Sequence, residues 1–290
     1  MLKVAFIGLG VMGFPMAGHL ASAGQEVSVF NRSPVKCENW VRKFTGRLAK
    51  SPADAARGAE VVFACVGNDE DVREITLGRD GVFSVMAEGT VFVDHTTTSA
   101  HLAVELADTA YRKKIIYLDA PVSGGQKGAE SGELTIMVGG DFKAFVHIRP
   151  LLGHYSSMAK LMGPVGTGQL TKMVNQICLT GLLEGLAEGM NFCVRAKLDT
   201  GKVLEVLTRG AAGSWQMENR GPTMVQGSFN FGFAVDLMRK DLAFCLEEAK
   251  KTGTELPVVE MVDQFYAAVQ AMGGGRWDTS SLIARFQKRS

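Results

Sequence analysis

KVAFIGLGVMGFPMAGHLASAGQEVSVFNRS, residues 3–33, decides the fold. It opens on a short β-prone run, KVAFI, that breaks at Gly8. Gly8, Gly10 and Gly13 then fall in the spacing G-x-G-x-x-G, followed by a helical stretch over 12–23 that Gly24 closes. EVSVF, at 26–30, supplies the next strand. A lone triplet of this kind is a weak signal. Between a strand and a helix, inside a βαβ unit of about thirty residues, it reads as a dinucleotide-binding turn. Gly8 permits the tight turn, Gly10 lets backbone approach a pyrophosphate, and Gly13 lets the helix pack on the sheet. The anion then sits on the helix N-terminus. On this reading Gly8, Leu9, Gly10, Val11, Met12 and Gly13 bind the cofactor.

The residues after the second strand narrow the choice of cofactor. An NAD enzyme places Asp or Glu there to accept hydrogen bonds from the ribose hydroxyls. This chain has Asn31-Arg32-Ser33. With no carboxylate in those positions to repel a 2′-phosphate, Arg32 offers it a planar fork of donors. Asn31, Arg32 and Ser33 therefore favour NADP over NAD.

Working outward, β-prone runs recur at AEVVFACV (59–66), GTVFVDHT (89–96) and KIIYLDAPVS (114–123), with helical stretches between them. Such alternation predicts an α/β fold, a doubly wound Rossmann domain with a parallel sheet. DAPVSGGQKGAESGELTIMVGG (119–140) reads as too polar and glycine-rich for a core strand. From about residue 165 strand signals stop, and helical patterns run over 167–194, 200–209, 234–252 and 257–272. The expectation is a dinucleotide-binding domain over 1–164 and an all-helical substrate and oligomerisation domain over 165–290. A long helix starting near Gly166 joins them, and the active site is expected in the cleft between them.

With 31 basic and 30 acidic side chains the net charge is +1, which gives no electrostatic argument for nucleic acid or an anionic membrane. Five scattered cysteines, with no CxxC, favour free thiols and a cytoplasmic location. His19, His101, His147 and His154 show no metal spacing, so no metal is expected. Gly181, Gly185 and Gly189 repeat as in a membrane packing face. Asn175, Gln176, Glu184, Glu188 and Asn191 interrupt that run, and insertion penalises central carboxylates. A helix packed inside a protein is the better reading.

Inside TGQLTKMVNQICLTGLLEG (167–185), Lys172 sits at the head of this apolar helix. Burying an unpaired ammonium is costly, so the position asks for a function. Lys172, Asn175 and Gln176 share one helical face. Hydride delivery to a carbonyl builds negative charge on oxygen, which a preorganised ammonium can stabilise and protonate. Spacing alone leaves a catalytic lysine and a helix-end lysine reaching to water equally open.

FIGLGVMGFPMAGHL (6–20), the 119–140 stretch and GTGQLTKMVNQ (166–176) occur in an order that resembles the β-hydroxyacid dehydrogenase family, over essentially the whole chain. That family includes 3-hydroxyisobutyrate dehydrogenase, tartronate semialdehyde reductase and the glyoxylate/succinic semialdehyde reductases. NRS after the second strand looks most like the NADP-dependent semialdehyde reductases. The resemblance implies hydride transfer between NADP(H) and a small β-hydroxy acid or semialdehyde. By that resemblance Lys172 matches the catalytic lysine, a general acid/base, and Asn175 the asparagine one turn on. Ser123, Gly124 and Gly125 match the loop that holds the substrate carboxylate. Lys240, in DLMRKDL, matches a second lysine near cofactor and substrate, and Thr97 a threonine near the nicotinamide ribose. Val66 and Gly67 match the adenosine side, and the Thr97 loop departs from the usual motif at His95. A homodimer or homotetramer through the helical domain is also implied. The competing reading is a catalytically silent interaction scaffold, but relatives of that kind lose the lysine present here.

Overall fold

The computed structural model describes residues 1–286. Among them are nine strands: β1 (Lys3–Ile7), β2 (Glu26–Phe30), β3 (Arg47–Leu48), β4 (Val61–Ala64), β5 (Val91–Asp94), β6 (Ile116–Asp119), β7 (Val122–Ser123), β8 (Leu134–Gly139) and β9 (Ser156–Gly163). They form one sheet in the order β3-β2-β1-β4-β5-β6-β8-β7, with β9 on β8. The first six are parallel neighbours, each linked to the next through helical crossovers. The chain reverses its direction of travel across the sheet between β1 and β4, and the glycine turn leaves β1 there. Ligands of open α/β sheets bind in the crevice at such a switch point.

Alternate residues of the central strands feed two cores. Val4, Phe6, Val61 and Phe63 pack on one face; Ala5, Ile7, Val62 and Ala64 pack on the other. Burial on both faces makes these strands near-continuous apolar runs, which is why they are legible in the sequence.

To the expected parallel sheet the structure adds an antiparallel edge. β8 runs antiparallel to both β6 and β7. The structure corrects the reading of 119–140, which holds a core strand. Leu134, Ile136 and Val138 are fully or almost fully buried. The apolar run LTIMV is short, and the glycine-rich Gly125–Ser131 helix before it masks the periodicity.

The chain divides into two compact units, Met1–Lys172 and Met173 onward. The division falls within the Thr167–Arg195 helix, whose head belongs with the sheet. The second unit continues with helices Thr200–Leu207, Trp215–Gln226, Val235–Thr252 and Pro257–Ala271 and a 3₁₀ segment, Thr279–Phe286. Trp215–Gln226 escaped the sequence reading because Pro222 lies inside it. Ser214 caps its start, accepting from the Met217 N–H, and Gly227 ends it in the left-handed conformation.

By length and composition the Thr167–Arg195 helix could cross a membrane, with a mean hydropathy of 1.3 over its most apolar window. In the fold it sends Leu183, Ala187 and Met190 into the core of the second unit. The buried Glu184 pairs there with Arg285, whose guanidinium also stacks 3.8 Å from the Phe265 ring centroid. Paired carboxylate and packed leucines are the marks of a core helix.

Candidate active site

Backbone fit at the first turn is tight enough to exclude side chains at two of its three glycines. Gly8 has φ +99°, and a Cβ there would stand 2.2 Å from the Cys65 carbonyl oxygen. A Cβ at Gly13 would stand 1.9 Å from the Gly8 carbonyl oxygen. The Gly13–Ser22 helix is thus pressed against the turn that precedes it. At Gly10 nothing lies within 4 Å, so an approaching group meets bare backbone. That helix has no side-chain cap and no acid in its first turn, which leaves its positive end open to an anion. Val11 is exposed, Met12 is half-buried and precedes the helix, and Leu9 is buried.

Asn31 ties this turn to the end of β2. Its Oδ1 accepts from the Leu9 N–H at 2.9 Å, and its Nδ2 donates to the Ser33 carbonyl at 3.2 Å. The amide therefore shapes the loop. Arg32 reaches into solvent and forms an ion pair of 3.0 Å with Asp71, which the sequence reading did not single out. Ser33 starts the Pro34–Lys43 helix without capping it through its hydroxyl. Beyond β4, the Val66 N–H donates to Thr96 Oγ1 at 3.0 Å, and Gly67 lies under the Asp71 carboxylate.

Past β5 the backbone enters a buried polar cluster. Asp94 accepts from the Thr96 N–H and from the Tyr117 hydroxyl, at 2.9 and 3.1 Å. His95 lies between the Ala120 carbonyl (2.6 Å from Nδ1) and the Tyr155 hydroxyl (2.9 Å from Nε2), stacked on Phe63. Burial pushes the Asp94 carboxyl from 3.8 up to about 7 and the His95 imidazole from 6.5 down to about 4.

These two shifts act on stability with opposite signs. Between pH 3.8 and about 7 the folded chain keeps an Asp94 proton that the unfolded chain has lost. Stability from that group therefore declines as pH rises through the window. For His95 the unfolded chain gains a proton below 6.5 that the folded ring refuses until about 4, so stability declines as pH falls. Asp94→Asn should remove the first dependence. Its melting temperature relative to the unmodified protein should climb between about pH 5 and about pH 7. Parallel melting curves across that range would show that Asp94 does not titrate there.

The same region anchors the head of the lysine-bearing helix. Asp119, fully buried at the end of β6, accepts the Gly166 and Gln169 N–H groups at 2.8 and 2.9 Å. Gln169 in turn donates to the Thr96 carbonyl at 2.7 Å and accepts the Thr98 N–H at 3.1 Å, bracketing half-buried Thr97. Four residues after Asp119, Ser123 ends β7, and Gly124 (φ +125°) and Gly125 (φ +62°) turn the chain. Lys172 follows Gln169 by one turn and is 8% exposed. Neither Asp119 nor Gln169 stood out in the sequence, although both lie inside the quoted motifs.

In the second unit Asn175 and Lys240 meet through two intermediaries. Asn175 Nδ2 donates to Gln176 Oε1 at 2.8 Å, and Gln176 Nε2 donates to Asp241 Oδ2 at 2.7 Å. Lys240 Nζ stands 3.2 Å from Asp241 Oδ1, an ion pair, and 5.4 Å from the Phe244 ring centroid. Asp241 is buried, and its only signal in the sequence was its place beside Lys240 in RKDL. Among the described residues no group of three or more His, Cys, Asp or Glu side chains is arranged to hold a metal ion.

Known proteins resemble this chain in sequence and fold. The family model for the NAD binding domain of 6-phosphogluconate dehydrogenase matches residues 3–166. That for the NAD-binding region of NADP-dependent 3-hydroxyisobutyrate dehydrogenase matches 166–286. An uncharacterized oxidoreductase of Shewanella frigidimarina is 57% identical, covering 99% of both chains. The 2-hydroxy-3-oxopropionate reductase of Escherichia coli is 33% identical, over 97% of this chain and 96% of its own. The solved 3-hydroxyisobutyrate dehydrogenase of Mycobacterium tuberculosis superposes with a TM-score of 0.88 at 28% identity, over 99% of this chain and all of its own. These matches span essentially the whole chain, and it belongs to the β-hydroxyacid dehydrogenase family, a family of NAD(P)-dependent oxidoreductases.

Proposed function

We propose that this chain transfers hydride between NADP(H) and a small β-hydroxy acid or its semialdehyde, in the class of glyoxylate, succinic semialdehyde or 3-hydroxyisobutyrate. One observation carries the reading: Asp119 clamps the head of the Lys172 helix to the end of β6, four residues before Ser123 and the Ser123–Gly125 loop. A residue that can protonate an oxygen and a loop suited to a carboxylate are thereby fixed to one buried anchor. The relatives named for 2-hydroxy-3-oxopropionate and 3-hydroxyisobutyrate support the same substrate class.

Nicotinamide supplies the hydride when bound. Gly8–Gly13 hold the pyrophosphate against the open helix end, Arg32 holds the 2′-phosphate, and Val66, Gly67 and Thr97 border the nucleotide. Ser123, Gly124 and Gly125 orient the substrate carboxylate. Lys172 stabilises the charge growing on the carbonyl oxygen and delivers its proton there; in the reverse direction it removes that proton. Asn175 continues the Lys172 face of the helix, and Asp241 positions Asn175 (through Gln176) and Lys240. Val174, Leu182 and Phe192 leave apolar surface exposed on the same helix, which supports a homo-oligomer through the helical domain.

The experiment is NADPH absorbance on addition of glyoxylate, succinic semialdehyde and 2-hydroxy-3-oxopropionate, with 3-hydroxyisobutyrate and NADP⁺ for the reverse direction. Absorbance that stays flat across the panel would favour the scaffold reading. For the cofactor, Arg32→Ala should weaken NADPH binding about tenfold by removing a charge-assisted pair, and leave NADH nearly unchanged. Equal loss for both cofactors would mean that Arg32 does not read the phosphate.

A further inference from the structure

Resting on the reading of Arg32 as the 2′-phosphate residue, we propose that Asp71 sets how far the chain discriminates NADP from NAD. It does so by competing with the 2′-phosphate for the Arg32 guanidinium.

Asp71 lies in the first turn of the Asp69–Leu77 helix, which follows β4 and carries three successive acids, Asp69, Glu70 and Asp71. Two of these have distinct, assigned directions. Asp69 accepts from the Ser99 N–H and hydroxyl, at 3.1 and 2.6 Å, and so faces the segment after β5. Asp71 faces the other way, its Oδ1 3.0 Å from Arg32 Nη1. Two features hold it there. Its N–H donates to Asn68 Oδ1 at 2.8 Å, and its Oδ2 packs over Gly67, where a Cβ would come within 2.6 Å.

Because β2 and β4 are the two neighbours of β1, this ion pair reaches across the carboxyl end of β1. That is the switch point, where the dinucleotide's adenosine end is expected. Arg32 is 88% exposed in its side chain and Asp71 29%, so the pair is screened and weak enough to exchange partners. A bound 2′-phosphate takes the guanidinium and brings its negative charge close to the displaced carboxylate. NAD, which lacks that phosphate, leaves the pair intact. Asp71 therefore weakens NADP binding selectively, and the chain's preference for NADP is smaller than Arg32 alone would confer.

The test measures NADPH and NADH dissociation constants by cofactor fluorescence for the unmodified chain, Asp71→Asn, Arg32→Ala and the double variant, at low and high salt. Asp71→Asn keeps the backbone cap and should fold as before, which its melting curve verifies. It should tighten NADPH by about three- to tenfold and change NADH by less than about twofold. The gain should shrink in the Arg32→Ala background and at high salt. NADPH binding unchanged or weaker in Asp71→Asn, while Arg32→Ala still selectively loses NADPH, overturns the role of Asp71 and leaves the phosphate reading standing. If Arg32→Ala has no selective effect on NADPH, the phosphate reading fails and takes the competition with it.

Discussion

Turnover by Lys172→Ala is expected to fall at least about 10²-fold, the lower end for removing a positioned acid–base group. Its fold should stay intact, which its melting curve verifies, because the change is confined to one side chain at the head of the helix. NADPH binding should be nearly unchanged, because the glycine turn, Asn31 and Arg32 lie on other elements. Lys172→Arg should not restore turnover, since guanidinium does not release a proton near neutral pH. Stopped-flow and steady-state assays with the best aldehyde substrate give the comparison. An alanine variant that kept most of its kcat would reduce Lys172 to a structural lysine and remove the mechanism proposed above.

The second large effect is expected at Asp119, through both stability and turnover. Asp119→Ala strips the acceptor from the Gly166 and Gln169 N–H groups at the buried head of the lysine helix. A buried donor left without a partner costs about 1–3 kcal/mol, so the pair costs on the order of 2–6 kcal/mol. For a chain of this size that lowers the melting temperature by roughly 5–15 °C. Burial holds the Asp119 carboxyl above its usual range, opposed by the backbone N–H groups it accepts. Asparagine keeps one acceptor oxygen and should recover part of the stability. With the helix head released, kcat should fall about tenfold or more at temperatures where the variant is folded, while the NADPH dissociation constant stays put. A fall in cofactor affinity matching the fall in kcat would indicate general damage to the sheet rather than loss of the lysine's anchor.

Much of the nucleotide half was legible before any coordinates. KVAFI, the VVFA of AEVVFACV and the VFVD of GTVFVDHT are strands buried on both faces, which leaves an apolar run with glycine punctuation, and EVSVF shows the alternation of a strand buried on one face. The positive φ of Gly8 and the Gly13 approach to the Gly8 carbonyl are also local statements, while the Cys65 carbonyl that closes on Gly8 comes from the tertiary fold. β8 was missed because its burial comes from neighbours far along the chain. Nothing within LTIMVG distinguishes a core strand from a loop after a glycine-rich segment.

The candidate site divides in the same way. Arg32, Lys172 and Asn175 could be picked out because a charge or amide in an apolar or loop setting is visible in one dimension, and Lys240 only through the family resemblance. Their partners could not. Asp71 lies 39 residues from Arg32, Asp119 lies 50 from Gln169, and Asp241 lies 65 from Gln176. The sequence by itself determined where strand gives way to helix and which backbone positions must be glycine, because sterics and hydrophobic periodicity act between near neighbours. Only the tertiary structure decided which carboxylate meets which donor, because hydrogen bonds and ion pairs act at about 3 Å in space and are indifferent to separation along the chain.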